Sequence, residues 1–580
     1  MKILPHFNDV CAYPYIHLHL KRLADRLEKR TRRAKAIQLR VLDALIRLNG
    51  SSRFGRDHGL EGASNYNDFV RRMPITDYET YRPYVQQMAN GQNNALLGKD
   101  VKPLMFALTS GTSGQPKQIP VSELFLRNYR RGWILLISRM WANHKELWYR
   151  QVFQLSSPPD DYFTAGGVPC GAISGMTARM PNWLVRSYYA VPEDICYVGD
   201  TPSRYYASVR IAAEKDVGLI VTASPATLIG MARSIQQRSE ELLRDIQDGT
   251  LSSKCQVPEV LRVSLTRGLK PNPKLARSLE KKAGPDGVLP RDFWRTRVIG
   301  CWLGGTMGLY IPQLRQLYRP AALRDIGLLS SEGRMSIPLV DEVPEGVLDI
   351  DSNFFEFVPV EEIDNWTGPA LLGHELEVGE KYFILMTTPS GFFRYNISDV
   401  VRVTGYIGQA PVICFLNKGT HISSVVGEKL SEHNVVRAMA QTWKTMGRED
   451  QCHEMVLSPQ WAAPPFYRMN VDGGAFADPE SCGRQAELAE AFDRALIKLN
   501  IEYRSKRKSG RLGPVQLRIL APGYLAQCDK KRMARSVTAR SQFKHRYLHT
   551  ELGADKEFPV LGNSGCYSAS SASNGGQAKL

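Results

Sequence analysis

The ten cysteines of this chain include no C-x-x-C pair, and Cys452-His453 has no second pair to complete a metal site. That spacing excludes a zinc ribbon and argues against a disulfide framework, so reduced thiols in a cytoplasmic protein are expected. Long apolar runs are missing as well. The most apolar stretch, Trp133 to Trp141, carries Arg139 and falls far short of the roughly 20 residues that span a bilayer. No extended apolar region separates Lys2 from the basic run that begins at Lys21, which argues against a secretory leader. Internal repeats are absent. So is an acidic balance: 75 Lys and Arg outnumber 58 Asp and Glu, for a formal charge of +17.

Much of the basic excess lies in Lys21 to Lys35 and in Arg504 to Arg546, including Lys506-Arg-Lys508 and Lys530-Lys-Arg532. No zinc finger, aromatic RNA-binding motif or heptad repeat accompanies either run, so solvated helix faces and surface loops account for them. A positive field also suits an enzyme that handles anionic nucleotides and carboxylates. Neither a nucleic-acid partner nor a membrane partner is expected.

At 580 residues the chain exceeds what one core holds, and two or more domains follow. Residues 20 to 50 read as one amphipathic helix, with Ile37, Val41, Leu42, Leu45 and Ile46 on its apolar face. Strand-like runs at Leu104–Leu108, Gln151–Leu155, Val217–Thr222 and Thr296–Gly300 alternate with helical segments, among them Ser122–Arg139 and Thr227–Asp248. The alternation predicts an α/β fold with a largely parallel sheet. Tyr382 to Ile413 reads as β-rich, with turns at Pro389-Ser-Gly391 and Gly405. Composition shifts near Leu416–His421. Helices at Ser431–Met446 and Gln485–Leu499 and strands at Glu454–Leu457 and Pro514–Leu520 follow. The Gly/Ser-rich residues 561–580 read as a disordered tail.

The most informative segment is Phe106-Ala-Leu-Thr-Ser-Gly-Thr-Ser-Gly-Gln-Pro-Lys117. Three apolar residues end a buried strand, and a loop of small hydroxylated residues then leads to one lysine. Gly111 and Gly114 permit tight turns that aim backbone N–H groups inward. Thr109, Ser110, Thr112 and Ser113 add hydroxyls, and Lys117 adds a charge. Together they make a phosphate cradle. It is not a Walker A loop, because only two residues separate the glycines and Gln118 follows the lysine.

This motif resembles the ATP phosphate loop of adenylate-forming enzymes, the superfamily of acyl-CoA synthetases, adenylation domains and luciferases. Asn49-Gly-Ser-Ser-Arg-Phe-Gly-Arg56, Asp68-Phe-Val-Arg-Arg-Met-Pro-Ile-Thr-Asp-Tyr78 and Gly91-Gln-Asn-Asn narrow the resemblance. They point to the auxin-responsive Gretchen Hagen family of acyl acid amido synthetases, in its bacterial branch, over about residues 35 to 550. The resemblance implies a large N-terminal adenylate-forming domain of mixed sheets and helices (1–415), a hinge (416–430) and a small mobile α+β domain (431–560). It also implies roles. In Leu328-Leu-Ser-Ser331-Glu332-Gly, Glu332 is the metal-associated carboxylate, a hard ligand suited to Mg²⁺. Ser331 lies with the nucleotide, and Leu328 stands against adenine where the family usually has an aromatic. In Gly391-Phe-Phe-Arg-Tyr-Asn-Ile-Ser-Asp399, Asp399 takes the ribose hydroxyls, while Asn396 and Ser398 replace the usual Arg and Gly. Lys418 is a phosphate contact. Lys544, in Ser541-Gln-Phe-Lys-His-Arg546, is the lysine that the mobile domain brings to the reacting carboxylate and α-phosphate.

The implied activity is a two-step ligase. ATP and Mg²⁺ activate a carboxylic acid as acyl-adenylate, and an amine, expected to be an amino acid, takes the acyl group. Two alternatives stay open: CoA as acceptor, and a non-catalytic protein that holds nucleotide or carboxylate. Gly166–Gly175 and Trp302–Tyr310 are candidate acyl-pocket segments that equally suit core packing.

Overall fold

The computed structural model describes residues 22–560 except 24, 110–116, 180–185, 286, 319–320, 367, 420–421, 424, 426–427, 429, 448–454, 477–483, 509, 511 and 535–544. The chain divides into a large unit, Met1–Met307 with Gln313–Leu416, and a small unit, Gly308–Pro312 with Asn417–Leu580.

In the large unit, β1 (Pro103–Thr109) and β2 (Lys117–Ser122) form an antiparallel hairpin. β3 (Gln151–Gln154) follows, and β4 (Tyr162–Phe163) and β5 (Pro169–Gly171) extend the hairpin into a sheet of order β2-β1-β5-β4. β3, β6 (Val217–Val221), β7 (Val298–Gly300) and β8 (Ala322–Arg324) make a four-stranded sheet in which all neighbours are parallel. β6 and β7 are buried at every position, as strands covered on both faces must be. β9 (Leu329–Ser330) and β10 (Gly333–Arg334) form a short hairpin. A seven-stranded sheet completes the unit: β11 (Ser336–Ile337), β12 (Glu345–Leu348), β13 (Phe354–Pro359), β14 (Leu371–Leu372), β15 (Lys381–Thr387), β16 (Tyr395–Ile407) and β17 (Ala410–Lys418). Its order is β11-β12-β17-β16-β15-β13-β14. The fold is therefore α/β, but parallel pairing dominates only one of its sheets.

Helix Glu123–Asn143 starts where Ser122 Oγ accepts the Phe125 N–H at 3.3 Å. It buries Phe125, Tyr129, Leu135, Leu136 and Met140. Gly132 in its middle is a close-approach position, because a Cβ there would lie 2.2 Å from Arg334 Cδ. Three local expectations need correcting. The helix expected over 227–248 is two, Pro225–Gln237 and Ser239–Asp248, broken at Arg238. The helix expected over 20–50 has a turn at residues 32–33 before Ala34–Asn49. Gly405 is no turn: it continues β16, and the reversal comes at Gly408, whose φ is +61°.

In the small unit, β18 (Ile422–Ser423) pairs with β19 (Leu430–Ser431). β20 (Met455–Gln460), β21 (Phe466–Asp472) and β22 (Gln516–Leu520) make a three-stranded sheet. Helix Glu432–Thr445 begins with a capping box between Ser431 and Asn434. With helix Gln485–Leu499 it closes a core of Val435, Met439, Trp443, Leu457, Tyr467, Phe492 and Leu496. The tail, 561–580, lies outside the described residues.

Candidate functional site

Thr109 and Lys117 stand opposite each other at the loop end of the β1–β2 hairpin. The loop they bracket contains Ser110, Gly111, Thr112, Ser113 and Gly114, all outside the described residues. The half-buried Lys117 Nζ lies 5.2 Å from the ring centre of Tyr78 and 3.4 Å from the hydroxyl of Tyr395. Tyr78 fixes the residue that follows the lysine: its hydroxyl accepts the Gln118 N–H at 2.8 Å and donates to the Gln118 carbonyl at 3.1 Å. An ammonium over an aromatic face is attracted by the ring quadrupole.

Ser331 and Glu332 are the two-residue loop of the β9–β10 hairpin, and both are buried. The Ser-Ser-Glu run is thus a hairpin tip. Ser330 Oγ accepts the Glu332 N–H at 3.2 Å, and Leu328, also buried, donates its N–H to Ser336 Oγ at 2.9 Å. Buried Arg334 ties the base of the hairpin together: its Nη1 donates to the carbonyls of Ile326 (2.7 Å) and Ser336 (3.2 Å), and its guanidinium lies 4.8 Å from the Trp133 ring. Glu332 Oε1 is 3.4 Å from the Tyr395 hydroxyl. Burial and the neighbouring Glu332 push the Tyr395 phenol well above its usual range, so it stays neutral.

Asp399, which the resemblance assigns to the ribose hydroxyls, does not sit in a loop. It lies instead inside β16, at a bulge. Asn396 pairs with Leu385 and Val400 with Phe383, so Ile397, Ser398 and Asp399 share the space opposite one residue of β15. Ser398 takes the left-handed conformation, φ +61°, and Asn396 Oδ1 accepts its N–H at 2.8 Å. The two departures from the family motif compensate each other, because an asparagine side chain stabilises the turn that glycine would otherwise supply. Upstream, Arg394 is locked to Glu356 by Nε contacts of 3.1 and 3.2 Å, both side chains being buried.

The structure thus brings Lys117, Glu332 and the strand of Asp399 together through Tyr395. Thr109 lies across from Lys117, and Leu328 and Ser331 lie on the Glu332 hairpin. The backbone of Lys418 ends β17, and its side chain is outside the described residues, as is Lys544. Sequence reasoning missed the parts played by Tyr78 and Tyr395. Both stand inside the quoted motifs, but an aromatic in an apolar strand carries no signal that separates a polar bridge from core packing.

No group of three metal-ligating side chains occurs among the described residues. A single buried carboxylate fits Mg²⁺ that arrives on substrate phosphates, since that ion is usually held by one or two carboxylates plus phosphate oxygens and water.

The sequence matches the GH3 family N-terminal domain over residues 23–322, the central domain over 346–418 and the C-terminal domain over 433–551. It is 26% identical over 543 residues to indole-3-acetic acid-amido synthetase GH3.5 of Arabidopsis thaliana, covering 86% of each chain. It is 24% identical over 524 residues to jasmonoyl–L-amino acid synthetase JAR4 of Nicotiana attenuata, covering 86% of this chain and 88% of that one. The solved GH3.15 acyl acid amido synthetase superposes with a TM-score of 0.77 at 21% identity, covering 95% of this chain and 96% of the other, and so shares its fold. Three consecutive domain matches over a shared architecture make this chain a member of the GH3 family.

Proposed function

We propose that the chain is an ATP-dependent acyl acid amido synthetase that works through an acyl-adenylate. The observation that carries this reading is the Lys117–Tyr395–Glu332 constellation on the strand of Asp399, in a chain matched along most of its length to amido synthetases. A substrate carboxylate attacks the α-phosphorus of ATP and pyrophosphate leaves. The amine of an amino acid then attacks the acyl carbonyl, and AMP leaves with the electron pair of the broken C–O bond. Neither step needs a covalent enzyme nucleophile; both need placement and charge neutralisation.

In this reading the loop from Thr109 through Ser110, Gly111, Thr112, Ser113 and Gly114 cradles the phosphates, and Lys117 neutralises them. Leu328 makes apolar contact with adenine beside Ser331, and Asp399 accepts the ribose hydroxyls. Glu332 holds Mg²⁺, which supplies charge compensation at the phosphates. Lys418 contacts phosphate, and Lys544 on a mobile small domain (431–560, hinged over 416–430) serves adenylation. The setting is cytoplasmic; among the described residues no helix is long and apolar enough to cross a membrane.

The test is ATP–pyrophosphate exchange over a panel of aromatic and aliphatic acids, with mass spectrometry of products formed with amino acids or CoA. Acid-dependent exchange and an amide product are expected. A thioester product would move the chain to acyl-CoA ligation, and exchange with no acid on a broad panel would leave a nucleotide-binding protein.

A further inference from the structure

Parallel sheets bind their ligands outside the carboxyl ends of the strands, and the Leu328–Glu332 hairpin follows that end of β8. The amino end of the same sheet carries a cavity of about 490 Å³, within the range of small-molecule sites. Val298 and Ala322 pair at that end, and the cavity is lined there by Arg297 and Ala322. Nothing in the ligase reading uses it.

Its floor is apolar: Ile299, Leu314, Tyr318 and Leu323 are all buried beneath it. Its rim carries four polar side chains, His144, Glu146, Arg297 and Arg315. Two of these are already engaged. His144 Nε2 meets Asp341 at 2.7 Å, and Asp341 also takes the Nε–H of the buried Arg324 at 2.6 Å. Arg315 pairs with Glu342, whose other carboxylate oxygen accepts the Leu323 N–H at 3.0 Å. Glu342 holds a left-handed conformation, φ +69°, and its N–H donates to the Leu323 carbonyl at 2.7 Å. The wall is therefore braced before any ligand arrives.

Arg297 and Glu146 remain. Both are exposed at the mouth; the Glu146 carboxylate is drawn below its usual range by its own backbone N–H and by the charges of Arg297, His144 and Arg150, and no ion pair closes between Glu146 and Arg297 among the described residues. One cation and one anion held apart above an apolar floor discriminate among ligands. A simple carboxylate gains Arg297 but meets Glu146, and a simple amine has the reverse problem. A molecule bearing both charges and an apolar body satisfies the whole rim. We propose that this cavity is a second small-molecule site for a free α-amino acid with an apolar side chain. Its carboxylate lies on Arg297, its ammonium on Glu146, and its side chain on Ile299, Leu314 and Leu323.

The test is isothermal titration calorimetry of the full chain, without ATP or acid, using L-leucine and its single-charge analogues isoamylamine and 4-methylpentanoate. Leucine should bind at least tenfold more tightly than either analogue. Arg297→Gln and Glu146→Gln, both at exposed positions, should each weaken leucine at least tenfold with an unchanged melting temperature. Glu332→Gln should leave leucine binding intact, which separates this cavity from an acceptor subsite at the ligase centre. No detectable leucine binding, equal binding of an analogue, or leucine binding that survives both rim substitutions would overturn the proposal. Because no catalysis is read, the result stands apart from the ligase assignment.

Discussion

Two adjacent residues of the large unit, Arg394 and Tyr395, treat buried charge in opposite ways. Arg394 closes onto Glu356, which also accepts the Tyr66 hydroxyl at 2.8 Å, and a carboxylate and a guanidinium neutralise each other inside the core. One position on, Tyr395 places a neutral phenol 3.4 Å from both Lys117 Nζ and Glu332 Oε1. The first arrangement spends both charges on the fold. The second sets a neutral hydroxyl beside one cation and one carboxylate, and in the proposed reading an ATP phosphate with Mg²⁺ needs one of each.

The contrast is testable, and the largest effect should come from the closed pair. Glu356→Ala strands the Arg394 guanidinium in the core and should cost about 3–5 kcal/mol of stability. Urea unfolding of the variant measures it, and a loss under 1 kcal/mol would mean that water reaches the pair.

Glu332→Gln should do the reverse, leaving the urea midpoint near wild type while acyl-adenylate formation falls about 10²-fold and more Mg²⁺ is needed. Pyrophosphate exchange against Mg²⁺ concentration reports both. An unaltered Mg²⁺ dependence would leave Glu332 a hairpin residue only.

Tyr395→Phe removes the hydroxyl between the two charges and allows them to approach each other. A loss of about tenfold in ATP affinity is expected, of the order of one weak hydrogen bond to a charged group. Calorimetry of the folded variant checks it. Unchanged affinity would make Tyr395 a packing residue.

The smallest effect belongs to Ser398→Gly. Relief of a left-handed serine should stabilise the large unit by about 1 kcal/mol, read as a rise in melting temperature with nucleotide binding intact. A fall instead would show that the Ser398 side chain holds the bulge.

The sequence alone set the elements that depend on neighbours in the chain. The apolar run before Thr109, the turn at Pro389–Gly391 and the helices after Ser122 and Ser431 follow from local periodicity and caps, and they stand where the pattern puts them. Motif text also named Lys117, Glu332 and Asp399 before any geometry was known. Errors arose where local signals were equivocal. Gly405 reads as a turn by composition yet is held extended by pairing in the seven-stranded sheet, and Arg238 interrupts a helix with no proline or glycine to announce it. Tertiary structure alone decided what Tyr395 does, because its partners lie 278 and 63 residues away. It decided the cavity at the amino end of the parallel sheet for the same reason, with Glu146, Arg297 and Arg315 arriving from three separate segments. Periodicity reports which face of an element is buried; which charges meet, and which are kept apart, depends on how distant elements pack.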